Sequence, residues 1–287
     1  MKILNYFFQF FFIILLFILF KILGYRISNK LSGYLFLIFG PIFRNNEISK
    51  NNLQKAFPKL SDKEIKKNIK KMWFSYGQIL SEYVFLKDFK NKKNFKKRIH
   101  IENEFILENI RLSNEPVIFI SGHFSNFEIM AQQIELSGIN LAAVYRPLNN
   151  KFLNPLMENI RKKYICRNQV KKGISGTKEL LKFFKNDVSI ALMIDQRVSE
   201  GIKSPFFNLD AYTTTIPAQF VKKFDAQVVP VHIVRTKKNH FNLKIHQPVI
   251  FNKNENIENI TKNLNKILEK MIMTNPSQWI WTHNRWK

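Results

Sequence analysis

Residues 116–128 read PVIFISGHFSNFE, and this stretch decides how the chain folds. Val117, Ile118, Phe119 and Ile120 are consecutive apolar residues, three of them β-branched, between Pro116 and Ser121-Gly122. A run so short, apolar and bounded is a strand buried on both faces. Gly122 permits a sharp turn and a close approach to the backbone. The residues that follow have helical spacing over about 125–137, stopped by Gly138. His123 therefore stands in the loop ahead of a helix, with Glu128 in that helix's first turns.

Working outward, the same alternation continues. NLAAVY (140–145), VSIALMI (188–194) and QVVPVHIV (227–234) read as strands, with helices near 150–164, 175–186 and 216–224. NLKIHQPVI (242–250) reads as an antiparallel neighbour of 227–234, and a last helix of about 255–274 ends before Pro276. Strands alternating with helices predict an α/β domain with a mixed, mostly parallel sheet flanked by helices. There is no internal repeat, and no linker rich in Pro, Gly or Ser divides it.

The upstream part differs. Ile3–Phe20 is interrupted only by Asn5, Tyr6 and Gln9. Eighteen helical residues reach about 27 Å, close to the roughly 30 Å of a bilayer's hydrocarbon core. No small-residue cleavage site follows, so the stretch reads as a transmembrane anchor over 1–24 and not as a signal peptide. Lys2 precedes it, whereas Lys21, Arg26, Lys30 and Arg44 follow, which puts the bulk of the chain on the cytoplasmic side of the membrane as a single-pass protein. LSGYLFLIFGPIF (31–43) is too short to span and reads as a helix in the interface or against the domain. Ser61-Asp62-Lys63-Glu64 is a capping box opening a helix of about 62–88, and KDFKNKKNFKKR (87–98) is a basic run, either a solvated loop or a seat on anionic lipid. The expected organisation is an anchor (1–24), a helical membrane-proximal segment (25–100) and an α/β domain (101–287).

With 46 basic against 21 acidic residues, the net charge of +25 points to a polyanionic partner, such as membrane lipids or nucleic acid. Most of the excess is lysine in a sequence also rich in Asn, Ile and Phe, a profile that an AT-rich genome produces by itself. The basic residues are dispersed and no nucleic-acid-binding motif occurs, which argues against nucleic acid. A single cysteine, Cys166, excludes an intrachain disulfide, and the six His lack paired ligand spacing, so neither metal nor cofactor is expected.

In α/β folds, ligands bind at the carboxyl ends of strands. There, the spacing His123-x-x-x-x-Glu128 has a chemical use. The carboxylate accepts from one imidazole nitrogen and fixes the tautomer, leaving the other nitrogen to take a proton from an alcohol. Arg146 directly follows a strand, as either a phosphate ligand or a surface arginine beside a carboxylate. Asp195 also follows a strand, as a site group or a cap. Thr213, Thr214 and Thr215 cap the next helix or present its amides to an anion. Trp279, Trp281 and Trp286 form an interfacial anchor or pack in the core.

SGHFSNFE resembles the G-H-x-x-N-x-E block of the bacterial lipid A biosynthesis acyltransferases of the late, lauroyl/myristoyl type. NLQKAFPKLSDKEI, VYRPLNN, DQRVSEGIKSPFF, TTT and WIWTHNRWK are similar, in order, to that family's further blocks. The resemblance implies transfer of a fatty-acyl chain from an acyl-carrier-protein thioester to a hydroxyl of a lipid A precursor. His123 would be the general base and Glu128 its orienting partner, with Phe124, Asn126, Tyr145, Arg146, Asp195 and Gln196 as substrate contacts. Phe127 stands where the family usually carries Trp, and Arg197 where many members carry an acid. Two other readings compete. A glycerolipid or lysophospholipid acyltransferase commonly has Asp at the position of Glu128 and a downstream F-P-E-G-T-like loop, absent here. A membrane-tethered protein binding anionic lipid or nucleic acid would explain the charge but not the motif blocks.

Overall fold

The computed structural model describes residues 1–287. Helix α1 (Lys2–Phe43) joins the two apolar stretches that the sequence reads as separate. They divide at Gly24, whose φ of +72° and ψ of 167° interrupt the helix, a conformation glycine adopts readily. The first half carries exposed Phe8, Phe11 and Phe12. Its length and apolar surface suit association with a membrane. It also leans on the domain, where Asn150 Nδ2 donates to the Tyr6 carbonyl at 2.8 Å.

The second half packs lengthwise on α3 (Asp62–Glu82), with α2 (Asn46–Ala56) between them in sequence. Small residues make this possible. Ser28, Ser32, Gly33 and Gly40 are buried on α1, and Ser32 Oγ donates to the Gly77 carbonyl at 2.6 Å. A Cβ on Gly77 would lie 2.3 Å from the Ser32 carbonyl oxygen, so the two backbones touch. Pro41 lies within the helix, which continues to Phe43 instead of breaking at Gly40-Pro41. The expected capping box forms at Ser61 and Glu64, but α3 stops at Glu82. A 3₁₀ turn over Tyr83–Phe85 leads to α4 (Leu86–Asn91) and α5 (Lys93–Lys96), which hold the basic run.

The sheet has seven strands: β1 (Ile99–Glu102), β2 (Ile118–Ser121), β3 (Leu141–Tyr145), β4 (Asn168–Lys171), β5 (Ser189–Met193), β8 (Val228–Arg235) and β9 (Phe241–Ile245). Their spatial order is β1-β9-β8-β2-β5-β3-β4, parallel at every pair except β8 with β9. This is the mixed, mostly parallel sheet expected, with β8 and β9 antiparallel as their sequences predict. The edge strands β1 and β4 are additions, as is a hairpin of β6 (Ile202–Phe206) and β7 (Leu209–Thr213). Phe207 and Asn208 turn that hairpin with positive φ of 52° and 60°, the sign that tight hairpin turns require.

Helices α6 (Glu104–Ser113), α7 (Phe127–Leu136), α8 (Leu153–Tyr164), α9 (Ile174–Lys185), α10 (Ile216–Phe224) and α11 (Ile257–Thr274) complete the fold. β2 is central and buried along its whole length. Register then decides the site: Ser121 lies opposite Met193 on β5. Continued past both strand ends, that register sets His123 beside Asp195.

Candidate active site

His123 and Asp195 emerge side by side from β2 and β5. His123 Nδ1 lies 2.8 Å from Asp195 Oδ1 and 3.1 Å from Oδ2, and the His123 backbone N–H donates to Oδ2 at 2.7 Å. Trp279 Nε1 donates to the same Oδ2 at 2.8 Å. A carboxylate can only accept, so Nδ1 carries its proton towards Asp195, and Nε2, bonded to no protein group, holds the lone pair. Asp195 is 2% exposed, whereas the His123 side chain retains 20% of its surface. Burial alone would lower the imidazole's pKa, but the charge of Asp195 and its hydrogen bond hold it above the ordinary value. Burial opposes ionisation of Asp195 in the same way. His123 and the donors around it overcome this and keep the carboxyl below its usual range.

Gly122 allows this approach, since a Cβ there would sit 3.2 Å from the Asp195 Cβ and 3.0 Å from the Phe124 ring. Ser125 adopts φ of +39°, and its N–H donates to the Gln278 carbonyl at 2.8 Å, tying the loop to the turn before Trp279. Phe127 meets the imidazole edge-on at 4.8 Å.

Glu128 is therefore not the partner of Nδ1, and the carboxylate at that nitrogen is Asp195. The reason is local. Asn126 caps α7, its Oδ1 accepting from the Glu128 and Ile129 N–H groups at 3.2 and 3.3 Å. With the helix starting at Phe127, the Glu128 side chain is directed at the 3₁₀ turn after α3 and at α8. Its Oε1 accepts from Arg161 Nε at 3.0 Å and from the Tyr83 hydroxyl. Arg161 also donates to Tyr83 at 2.9 Å and lies 5.7 Å from the centre of the Tyr145 ring. Its Nη1 is buried with no partner. The charge of Glu128 still favours the His123 imidazolium, as a smaller contribution than that of Asp195.

The expected substrate contacts divide. Phe124 is fully buried behind the site, edge-on to His232 at 4.6 Å and bridged to Trp279. The Asn126 amide is used at both ends, since its Nδ2 donates to Glu82 at 2.8 Å. Both side chains are buried. The Tyr145 hydroxyl donates to Glu158. Arg146 is exposed and pairs with no carboxylate, and Gln196 is half-buried and makes no protein hydrogen bond.

Trp279 and Trp281 are core residues packed edge to face at 4.5 Å, not an interfacial anchor. Arg285 is fully buried and donates to the Tyr212 carbonyl and to Thr213 Oγ1, the latter at 2.7 Å. Burial pushes its pKa down to about 10 and that of His283 to about 4. Thr214 Oγ1 accepts from the Ile216 N–H at 3.3 Å, while Thr215, at the N-cap of α10, makes no side-chain cap bond. Glu82 is fully buried and ion-paired to Arg235. It also accepts from Asn29 at 2.8 Å, from Tyr25 at 3.2 Å and from Asn126. One carboxylate thus links α1 to the cap of α7.

Sequence reasoning missed Arg161, Tyr83 and the pairing of Asp195 with Trp279. Asp195 had a signal, because like His123 it directly follows a buried strand. Arg161 had none; it is one of several cations on α8.

An oriented imidazole with a free Nε2, backed by a buried carboxylate, is built to take a proton from a hydroxyl. The profile of the bacterial lipid A biosynthesis acyltransferases matches residues 1–287. The chain is similar to the lipid A biosynthesis palmitoleoyltransferase of Escherichia coli K12, at 26% identity over 249 residues, 85% of this chain and 79% of the relative. Its similarity to the lipid A biosynthesis acyltransferase of Haemophilus influenzae is 24% identity over 261 residues, 89% of this chain and 81% of the relative. The lipid A biosynthesis lauroyltransferase of Escherichia coli K12 is 24% identical over 247 residues, covering 85% and 79%. The chain is an acyltransferase and belongs to the bacterial lipid A biosynthesis acyltransferase family.

Proposed function

We propose that this enzyme transfers a fatty-acyl chain from an acyl-carrier-protein thioester to a hydroxyl of a lipid A precursor, with His123 as general base and Asp195 as its orienting partner. His123 Nε2 removes the hydroxyl proton as the oxygen attacks the thioester carbonyl. The tetrahedral intermediate collapses with loss of the carrier thiolate, and the imidazolium returns the proton to sulfur. Asp195 keeps Nε2 unprotonated at rest and stabilises the imidazolium in between. Glu128 does not orient the base in this reading. It holds Arg161, whose free Nη1 is a donor for negative charge on donor or acceptor.

The observation that carries the proposal is the His123–Asp195 pair at the ends of adjacent parallel strands. The segment after β3 supports it, because Asn150 bonds α1 and Arg146, four residues earlier, is an exposed cation free for an anionic group of a lipid acceptor. Residues 1–24 serve as a single-pass anchor in the inner membrane, 25–100 as the membrane-proximal segment and 101–287 as the catalytic domain on the cytoplasmic face. The relatives are named for palmitoleoyl, lauroyl and myristoyl transfer, so the proposal stops at a fatty-acyl chain of unspecified length. The test is turnover of purified His123→Ala with an acyl-carrier thioester and a lipid A precursor. Loss of at least about 10²-fold is expected, since general-base catalysis contributes about 10²–10⁴-fold. Near-normal turnover would refute the mechanism.

A further inference from the structure

The terminal torsion of an aspartate is soft, so a carboxylate points where its donors hold it. Asp195 Oδ2 accepts from the His123 N–H at 2.7 Å and from Trp279 Nε1 at 2.8 Å, which leaves Oδ1 nearest His123 Nδ1, also at 2.8 Å. The first donor belongs to the residue being oriented. The second comes from a separate segment, and that segment is fixed along its length. Gln278 accepts the Ser125 N–H through its carbonyl, and its side-chain amide exchanges two bonds with the Arg235 backbone, at 2.7 and 2.8 Å. Asn52 of α2 donates to the Trp281 and His283 carbonyls at 2.9 and 2.7 Å. Arg285 binds Thr213 of the β6–β7 hairpin, and Trp286 Nε1 donates to the Phe206 carbonyl at 3.0 Å. Trp279 is 1% exposed, its ring edge-on to those of Trp281 and Phe206.

We infer that Trp279 is the positioning residue of the Asp195 carboxylate, and that residues 278–286 form a strap that holds its indole in place. The indole N–H fixes the rotation of the carboxylate, so that Oδ1 stays aimed at the imidazole. Tryptophan suits the task because its N–H donates and never accepts. A hydroxyl could also accept from a protonated carboxyl, whereas the indole favours the ionised form alone. Burial pushes the Asp195 carboxyl up; the charge of His123 and its hydrogen bonds outweigh this, and the Trp279 bond adds to them. With almost no exposed surface, Trp279 acts through Asp195 and not by contact with substrate. The inference rests on the His123–Asp195 reading given above.

The test uses the full chain in detergent, with initial rates on an acyl-carrier thioester and a lipid A precursor. Trp279→Phe keeps a buried ring and loses the N–H. Its kcat should fall about ten- to a hundred-fold, the range for one hydrogen bond to a charged group, with KM for both substrates unchanged. Trp281→Phe is the matched control. It removes an equally buried indole N–H from the same strap, but one that donates to the Pro276 carbonyl, and should leave kcat close to wild type. Placing 3-benzothienylalanine at position 279 keeps the shape of the indole and substitutes sulfur for its N–H. It should reproduce the loss, and it decides the matter alone if Trp279→Phe does not fold. Wild-type kcat with this isostere, an equal loss in Trp281→Phe, or a loss carried by KM would each overturn the inference. Asp195→Ala separates the two readings. Near-normal turnover there would sink the His123–Asp195 pair itself, whereas an impaired Asp195→Ala beside an unimpaired isostere would sink the role of Trp279 alone.

Discussion

Replacing Asp195 by Asn changes one oxygen to NH₂, and the structure dictates which. Oδ2 accepts from the His123 N–H at 2.7 Å and from Trp279 Nε1 at 2.8 Å, so that position must remain an oxygen. The new NH₂ then occupies the Oδ1 position, 2.8 Å from His123 Nδ1. Two donors cannot face each other, so Nδ1 gives up its proton and the imidazole takes the tautomer with hydrogen on Nε2. That tautomer cannot accept a proton from the substrate hydroxyl. The same substitution in a serine-protease triad lowers kcat about 10⁴-fold, roughly 5.4 kcal/mol of transition-state stabilisation, and a comparable loss is expected here. The assay is initial rate against pH with an acyl-carrier thioester. In the wild type the base works as the neutral imidazole, so activity falls as pH drops through its pKa. That acid limb should lie above about 6.5, the unperturbed histidine value, because Asp195 outweighs burial. In Asp195→Asn the main raising influence is gone and burial is less opposed, so any residual activity should show an acid limb displaced to lower pH. A variant within ten-fold of wild type, with an unmoved limb, would refute the argument that Asp195 sets the tautomer.

Arg146→Lys keeps the charge but loses the planar fork, so activity should fall with little change in stability. A raised KM at constant kcat would mark ordinary binding, equal losses in kcat and kcat/KM a contact made only in the transition state, and unchanged kinetics would return Arg146 to a plain surface residue. Gly77→Ala puts a Cβ 2.3 Å from the Ser32 carbonyl oxygen and 2.6 Å from the Phe36 Cβ, forcing α1 and α3 apart. About 1–3 kcal/mol of destabilisation is expected from such overpacking, and an unchanged Tm in detergent would show that the contact yields freely. Deleting residues 1–24 should release the protein from membranes only partly at low salt and much further at high salt, as screening weakens attraction of the 87–98 run to anionic lipid. Complete solubility at low salt would leave the first half of α1 as the sole attachment.

The elements legible in the sequence are those whose signal is local. β2, β3, β5 and β8 are short apolar runs, and α10 and α11 follow the 3.6-residue period almost to the residue, so the α/β class followed from periodicity alone. β1 (IHIE) and β4 (NQVK) have too little apolar surface to declare themselves. They are strands because a sheet edge supplies the backbone hydrogen bonds. β6 and β7 fold back around Phe207-Asn208 and are fastened by Arg285, more than 70 residues later. His123 and the helix after it could be read directly, and so could an acid within reach along the chain. Glu128 was that acid, and five residues of spacing made it look sufficient. Which carboxylate meets the imidazole depends instead on strand order. β2 and β5 are neighbours only because β3, α8, β4 and α9 lie to one side, and that arrangement brings Asp195 across 72 residues to His123. The period of a helix or strand is a property of adjacent residues and survives in sequence. The pairing of two strand ends depends on how the whole core packs, and only the folded sheet decides it.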